Sequence, residues 1–85
     1  MPYAREHACR LRDPGEIAPG SFRSMSRSHG SRVYRVIVGK LIGRSGGEDP
    51  MIEQAYRYPV EEWTAEEARA HCEQHGGIAF EPAAD

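Results

Sequence analysis

The stretch RVYRVIVGKLIG, residues 32–43, limits more than any other what this chain can fold into. It is rich in β-branched residues and bounded by Gly30 and Gly43, the signature of a strand. At a period of two, Tyr34, Val36, Val38 and Ile42 share one face, and Val33, Ile37 and Leu41 share the other. Apolar residues on both sides predict a central strand covered on both faces, or a bulge at Gly39 that swaps the faces. Either way the segment needs strand neighbours.

Neighbours are available. HACRLR, residues 7–12, alternates Cys9 and Leu11 against Arg10 and Arg12, the period of a short half-buried strand. MIEQAYRYP, residues 51–59, alternates Ile52, Tyr56 and Tyr58 against Met51, Glu53 and Arg57 and reads as the next antiparallel strand, stopped by Pro59. The GRSGGEDP segment over 43–50 joins the two as a turn; it lacks the lysine and following helix that a phosphate-binding loop requires. Thr64 and Glu67 form a T-x-x-E capping box, and Gly76 and Gly77 supply a C-terminal stop, so a helix is expected between them. Its inward stripe reads as Ala65, Ala68, Cys72 and His75. IAF, residues 78–80, closes the chain as a short strand. Between Asp13 and Ser31 the composition is loop-like, with Ile17, Phe22 and Met25 as anchors, and predicts a long, mobile basic loop. The expected fold is therefore α+β: a small antiparallel sheet of three to four strands with one helix packed on one face, in the order β-loop-β-β-α-β.

Eighty-five residues suffice for one domain, 1–85, with a small core. No apolar run approaches the roughly 20 residues of a membrane span, and no signal-peptide core is visible at the N-terminus. This predicts a cytoplasmic protein, in a bacterial host or associated with a virion, with no membrane partner. Two cysteines permit one disulfide, Cys9–Cys72, or none; a reducing compartment favours free, buried thiols. The net charge of −2 conceals an asymmetry: residues 1–47 hold nine basic and three acidic side chains, residues 48–85 two basic and ten acidic. Two readings follow, a molecule with one basic and one acidic face, or halves that pack together and neutralise each other.

Three sets of residues carry candidate chemistry. His7-x-Cys9 on a strand and Cys72-x-x-His75 on a helix each place two zinc-compatible ligands on one face. Neither spacing is that of a known zinc motif, and buried cysteines account for the pattern without a metal or other cofactor. A cysteine nucleophile is not supported, since Cys72 lies near the helix C-terminus, where the dipole disfavours a thiolate. In SFRSMSRSHGSRVYR, residues 21–35, Arg23, Arg27, Arg32 and Arg35 occur without an acidic residue; they could track phosphates while Tyr34 stacks on a base. An ordinary charged loop or a protein–protein contact accounts for the same arginines, since four in fifteen residues are common on solvated surfaces. Glu61, Glu62, Glu66 and Glu67 cluster at the helix start as capping and solvated residues, with no base to pair with.

The segments EHACRLRDP (6–14), GSFR (20–23), VIVGKLIG (36–43), EQAYRYPVEEWTAEEA (53–68) and FEPA (80–83) together resemble a family of short phage and prophage proteins. The likeness extends over nearly the whole chain through order and spacing. His7, Arg10, Leu11, Pro14, Phe22, Arg23, Tyr58, Pro59, Trp63, Ala68, Phe80 and Pro82 match its pattern. Members of that family occur among tailed-phage genes, sometimes beside or fused to prohead-protease-like domains. The resemblance implies a viral setting, with this module as a companion to an enzyme and not itself one. Similar sequences place alanine or serine at Cys9, which argues against zinc.

The reading is thus a non-enzymatic phage accessory or interaction module that binds a protein partner or a further copy of itself. The alternatives are a nucleic-acid-binding module using the arginine-rich loop, and a small zinc-stabilised domain.

Overall fold

The computed structural model describes residues 4–42 and 51–84. The strands are β1 (Glu6–Arg10), β2 (Arg23–His29), β3 (Arg32–Gly39), β4 (Ile52–Pro59) and β5 (Ala79–Glu81), with one helix, α1 (Ala65–Gln74), between β4 and β5. They form a single antiparallel sheet in the order β2-β3-β4-β1-β5, with α1 packed on one face. The fold is α+β as expected, but with five strands where three to four were predicted. The turn expected over 43–50 lies outside the described residues.

The additional strand comes from the segment read as a mobile loop. Within 13–31, a single 3-10 turn (Pro14–Glu16) is capped by Asp13, and Ile17 is buried and bridged to Leu41. Arg23–His29 then pairs with β3 in unbroken register from Arg23 opposite Val38 to His29 opposite Arg32. All seven β2 residues are exposed, so hydrophobicity gave no signal for them; a two-residue turn at Gly30–Ser31 folds the segment back onto β3 instead.

β3 does lie inside the sheet, between β2 and β4, but its second face is not covered. Tyr34, Val36 and Val38 are buried under the helix, whereas Val33 is exposed and Ile37 half-buried. The expected irregularity lies in β4 and not at Gly39. Ile37 opposes Ala55 while Val38 opposes Glu53, so Gln54 is the extra residue. Its Nε2 donates to the Arg12 carbonyl at 2.8 Å, and the bulge brings Glu53 onto the same face as Tyr56.

The helix obeys its sequence signals closely. Glu67 N–H donates to Thr64 Oγ1 at 3.1 Å, and Thr64 N–H donates to Glu67 Oε1 at 2.9 Å, completing the capping box. At the other end Gly76 has φ 82°, and Gly77 N–H reaches back to the Cys72 carbonyl at 2.8 Å, a Schellman stop. The buried stripe is Ala68, His71 and Cys72; His75 is exposed, which corrects the expected inward set by one residue.

The helix face of the sheet is the core. Tyr34, Val36, Val38, Tyr56 and Tyr58 meet Trp63, Ala68 and the Cys9–Cys72 pair there. Rings dominate it, with Tyr58 4.8 Å from Trp63 and Tyr34 4.9 Å from His71, both within the range of favourable aromatic packing. Cys9 and Cys72 form a disulfide with Cα atoms 5.6 Å apart, which corrects the expectation of free thiols. It ties α1 to β1. A Cβ on Gly77 would overlap Cys72 Sγ and stand 2.8 Å from Cys9 Sγ, so the position two residues past the C-cap His75 must be glycine for the sulfurs to meet.

The charged halves interleave. Arg27 pairs with Glu53 and Arg32 with Glu67, each joining the basic first half to the acidic second. Arg35 forms a bidentate pair with Glu6, its Nη2 2.9 Å from both carboxylate oxygens. Neutralisation by packing is therefore part of how the two halves meet.

Candidate functional site

Among the described residues, no three or more His, Cys, Asp and Glu side chains are arranged to hold a metal ion. The four residues considered for zinc have other partners. Cys9 and Cys72 are bonded to each other, so neither presents a thiolate. His7 is buried; its Nδ1 accepts from Ala83 N–H at 2.9 Å and its Nε2 lies 3.1 Å from the Trp63 carbonyl. One histidine thereby ties β1 to the segment before the helix and to the segment after β5. His75 stacks on His71 with ring centroids 4.1 Å apart.

His71 is the most perturbed histidine. Its Nδ1 is 2.8 Å from Tyr58 Oη, and its buried Nε2 has no hydrogen-bond partner. Burial, and then the neighbouring His75 and His29, lower its pKa to about 4, so the ring is neutral near pH 7. Burial likewise raises the pKa of Tyr56 and of Tyr58, with the Glu53 hydrogen bond adding to the Tyr56 shift. Glu53 is lowered despite the opposing effect of burial, because Tyr56 and Arg27 donate to it. Each of these groups belongs to the packed face of the sheet.

The arginines named from sequence divide between two faces. By register, Arg23 and Arg27 in β2 and Arg32 in β3 lie on the helix side. Arg27 and Arg32 are held by Glu53 and Glu67, and Arg32 also lies 5.3 Å above the Trp63 ring. Arg23 donates to the Gly20 and Phe22 carbonyls at 3.2 and 2.8 Å. Tyr34 is buried and not available to stack on a base. Only Arg35 emerges on the other face.

That other face has a different composition. Ala79, Arg10, Ala55, Ile37 and Ser24 form one cross-strand row, and Glu81, Ala8, Arg57, Arg35 and Ser26 form the next. Alanines make the floor, with Arg10, Arg35 and Arg57 rising from it. Arg35 and Arg57 are directly opposite one another, a placement in which like charges oppose pairing. With Phe22 and Pro14 at the rim, the face encloses an open groove of about 640 Å3. Arg10 and Arg57 were absent from the sequence-derived set. Their alternation with apolar neighbours pointed outward, but only strand order reveals that they join Arg35 across three strands.

No family model, curated protein or solved structure matches this chain.

Proposed function

We propose that the protein is a non-enzymatic interaction module that docks a protein partner on the open face of its sheet. The observation that carries this reading is the asymmetry of one sheet: a helix and an aromatic core close one face, and a concave groove of about 640 Å3 occupies the other. Shallow grooves with small floor residues and arginine walls suit protein partners, because arginine gives directional hydrogen bonds with little loss of flat contact area. A core this small also gains from added burial. The resemblance to phage and prophage proteins adds a viral setting, with the partner among head-assembly or host-takeover proteins. The disulfide favours an oxidising location, such as a released particle, over the reducing cytoplasm.

A photo-crosslinking residue tests the reading when placed in cells at Ala8, on the groove floor, and separately at Glu73, on the exposed side of the helix. One adduct of defined mass from Ala8, absent from Glu73, is the expected result. No protein adduct at Ala8, or the same adducts from both positions, would overturn it.

A further inference from the structure

β2 is an outer strand with an unusual edge. Natural edge strands are commonly short, bulged, or broken by proline or lysine, because an unpaired backbone edge invites another strand. β2 is neither short, bulged nor broken by proline or lysine; its one defence is charge, Arg23 and Arg27, which discourages a basic strand and not an acidic one. It runs seven residues, Arg23–His29, in register with β3 throughout, and contains neither proline nor lysine. Among the described residues no strand pairs with its outer side.

The charged side chains of β2 itself are basic, although Arg27 is paired with Glu53 across the sheet and Arg32 and Arg35 of β3 with Glu67 and Glu6. From Ile17 to Gly47 the sequence has no acidic residue, and the β2–β3 hairpin contributes Arg23, Arg27, Arg32 and Arg35, with Lys40 just beyond. Along β2, Arg23, Met25, Arg27 and His29 point to the helix side, and Ser24, Ser26 and Ser28 to the open face. A strand laid antiparallel against β2 meets two arginines, a histidine and a methionine on one side, and hydroxyls only on the other. A second copy of β2 is a poor match, since pairing about Ser26 sets Arg23 against His29 of the other copy.

We infer that β2 accepts an extended acidic segment of a partner protein as a sixth strand, with carboxylates at alternate positions facing Arg23 and Arg27, the latter shared with Glu53, and small polar residues facing the serines. This rests on the reading of the protein as a partner-docking module, and names the edge and the chemistry of the partner. Main-chain hydrogen bonds along the edge supply affinity, and the alternating carboxylates supply selectivity. The serine side of β2 is continuous with the open groove, so a partner entering at the edge extends directly onto the proposed face.

Three labelled octapeptides test this by fluorescence anisotropy at low salt: alternating glutamate and threonine, alternating lysine and threonine, and the glutamate peptide with proline at two central positions. The glutamate peptide is expected to bind at least tenfold more tightly than either of the others. Amide hydrogen exchange should then slow at alternate residues of β2, the outward-facing ones, and not elsewhere in the sheet. Arg23→Glu should weaken binding at least threefold, with the exchange pattern of the free protein otherwise retained. Equal binding of the glutamate and lysine peptides, binding without protection in β2, or tighter binding of an oligothymidylate of equal length would each overturn the inference. An Ala8 crosslink without glutamate-peptide binding removes the edge and leaves the groove; peptide binding without a crosslink removes the groove and leaves the edge.

Discussion

The two faces of the sheet are built from the same strands, residue by residue in alternation, and yet they differ in almost every physical respect. Val36 is fully buried and its neighbour Ile37 only partly so. On the helix side, four large rings, a buried histidine and a disulfide fill the space, and the polar groups drawn into it have partners except at His71 Nε2. On the other side the floor is alanine and serine, and the long charged side chains are arginines. The difference shows how a chain of this length divides its roles. Apolar bulk is concentrated where it excludes water most completely, and the remaining face is left to small residues that hold the strands together without demanding a second layer. A face of that kind costs little to leave open, and it is free to receive something else.

The largest test of the contrast is to cut the covalent tie on the closed side. Cys9 and Cys72 are separated by 63 residues, and in the chain-entropy picture a cross-link of that span stabilises by about 4 kcal/mol. A domain of this size is typically stable by only about 4–13 kcal/mol. Reduction with a phosphine, followed by urea denaturation, is expected to remove a large part of the total. Cys9→Ala combined with Cys72→Ala should do the same without reductant. An unchanged midpoint in both would mean that the helix is held by its aromatic contacts alone.

A finer test uses adjacent residues. Val36→Ala deletes two methyl groups from the packed face and should cost about 2 kcal/mol. Ile37→Ala deletes a larger group from the open face and should cost about 1 kcal/mol or less. Denaturant midpoints measured in parallel give the ranking directly. If the larger deletion proves the costlier, the open face carries more of the stability than its exposure implies.

Much of the closed face could be read from the sequence, because its signals are local. The capping box at Thr64 and Glu67, the paired glycines after the helix, and the β-branched run of β3 each depend on residues close in the chain. What could not be read depends on residues brought together from far apart. RSMSRSH contains a period of two, but every residue in it is polar or exposed, so only its pairing with β3 makes it a strand. The helix stripe differs from its sequence pattern at one member, because a period of 3.6 admits either His71 or His75, one turn apart, and the rings of β4 select His71. The disulfide depended on α1 crossing β1, the arginine group on strand order, and the placement of Glu53 beside Tyr56 on a bulge at Gln54. The pairing of the cysteines was decided by tertiary geometry, which no local pattern around Cys9 or Cys72 encodes.

His71 offers the smallest and most selective way to separate the faces. Its pKa is near 4 in the folded protein and near 6.5 when the chain is unfolded. Between those values the unfolded chain binds the additional proton, so stability is fully present above about pH 6.5 and falls as pH drops toward 4. One such group gives a slope of at most about 1.4 kcal/mol per pH unit. Confining the urea series to pH 5–6.5 keeps it above the range in which Glu53 and Glu67, both lowered, take up protons. His71→Gln should flatten that slope, and an NMR titration of the ring should show a midpoint near 4. Arg10→Met and Arg35→Met, on the open face, should leave the slope intact, since guanidinium groups do not titrate there. A slope that persists in the His71 variant would assign it to other histidines, and the unpartnered Nε2 of His71 would then lose its role as the acid-sensitive point of the packed face.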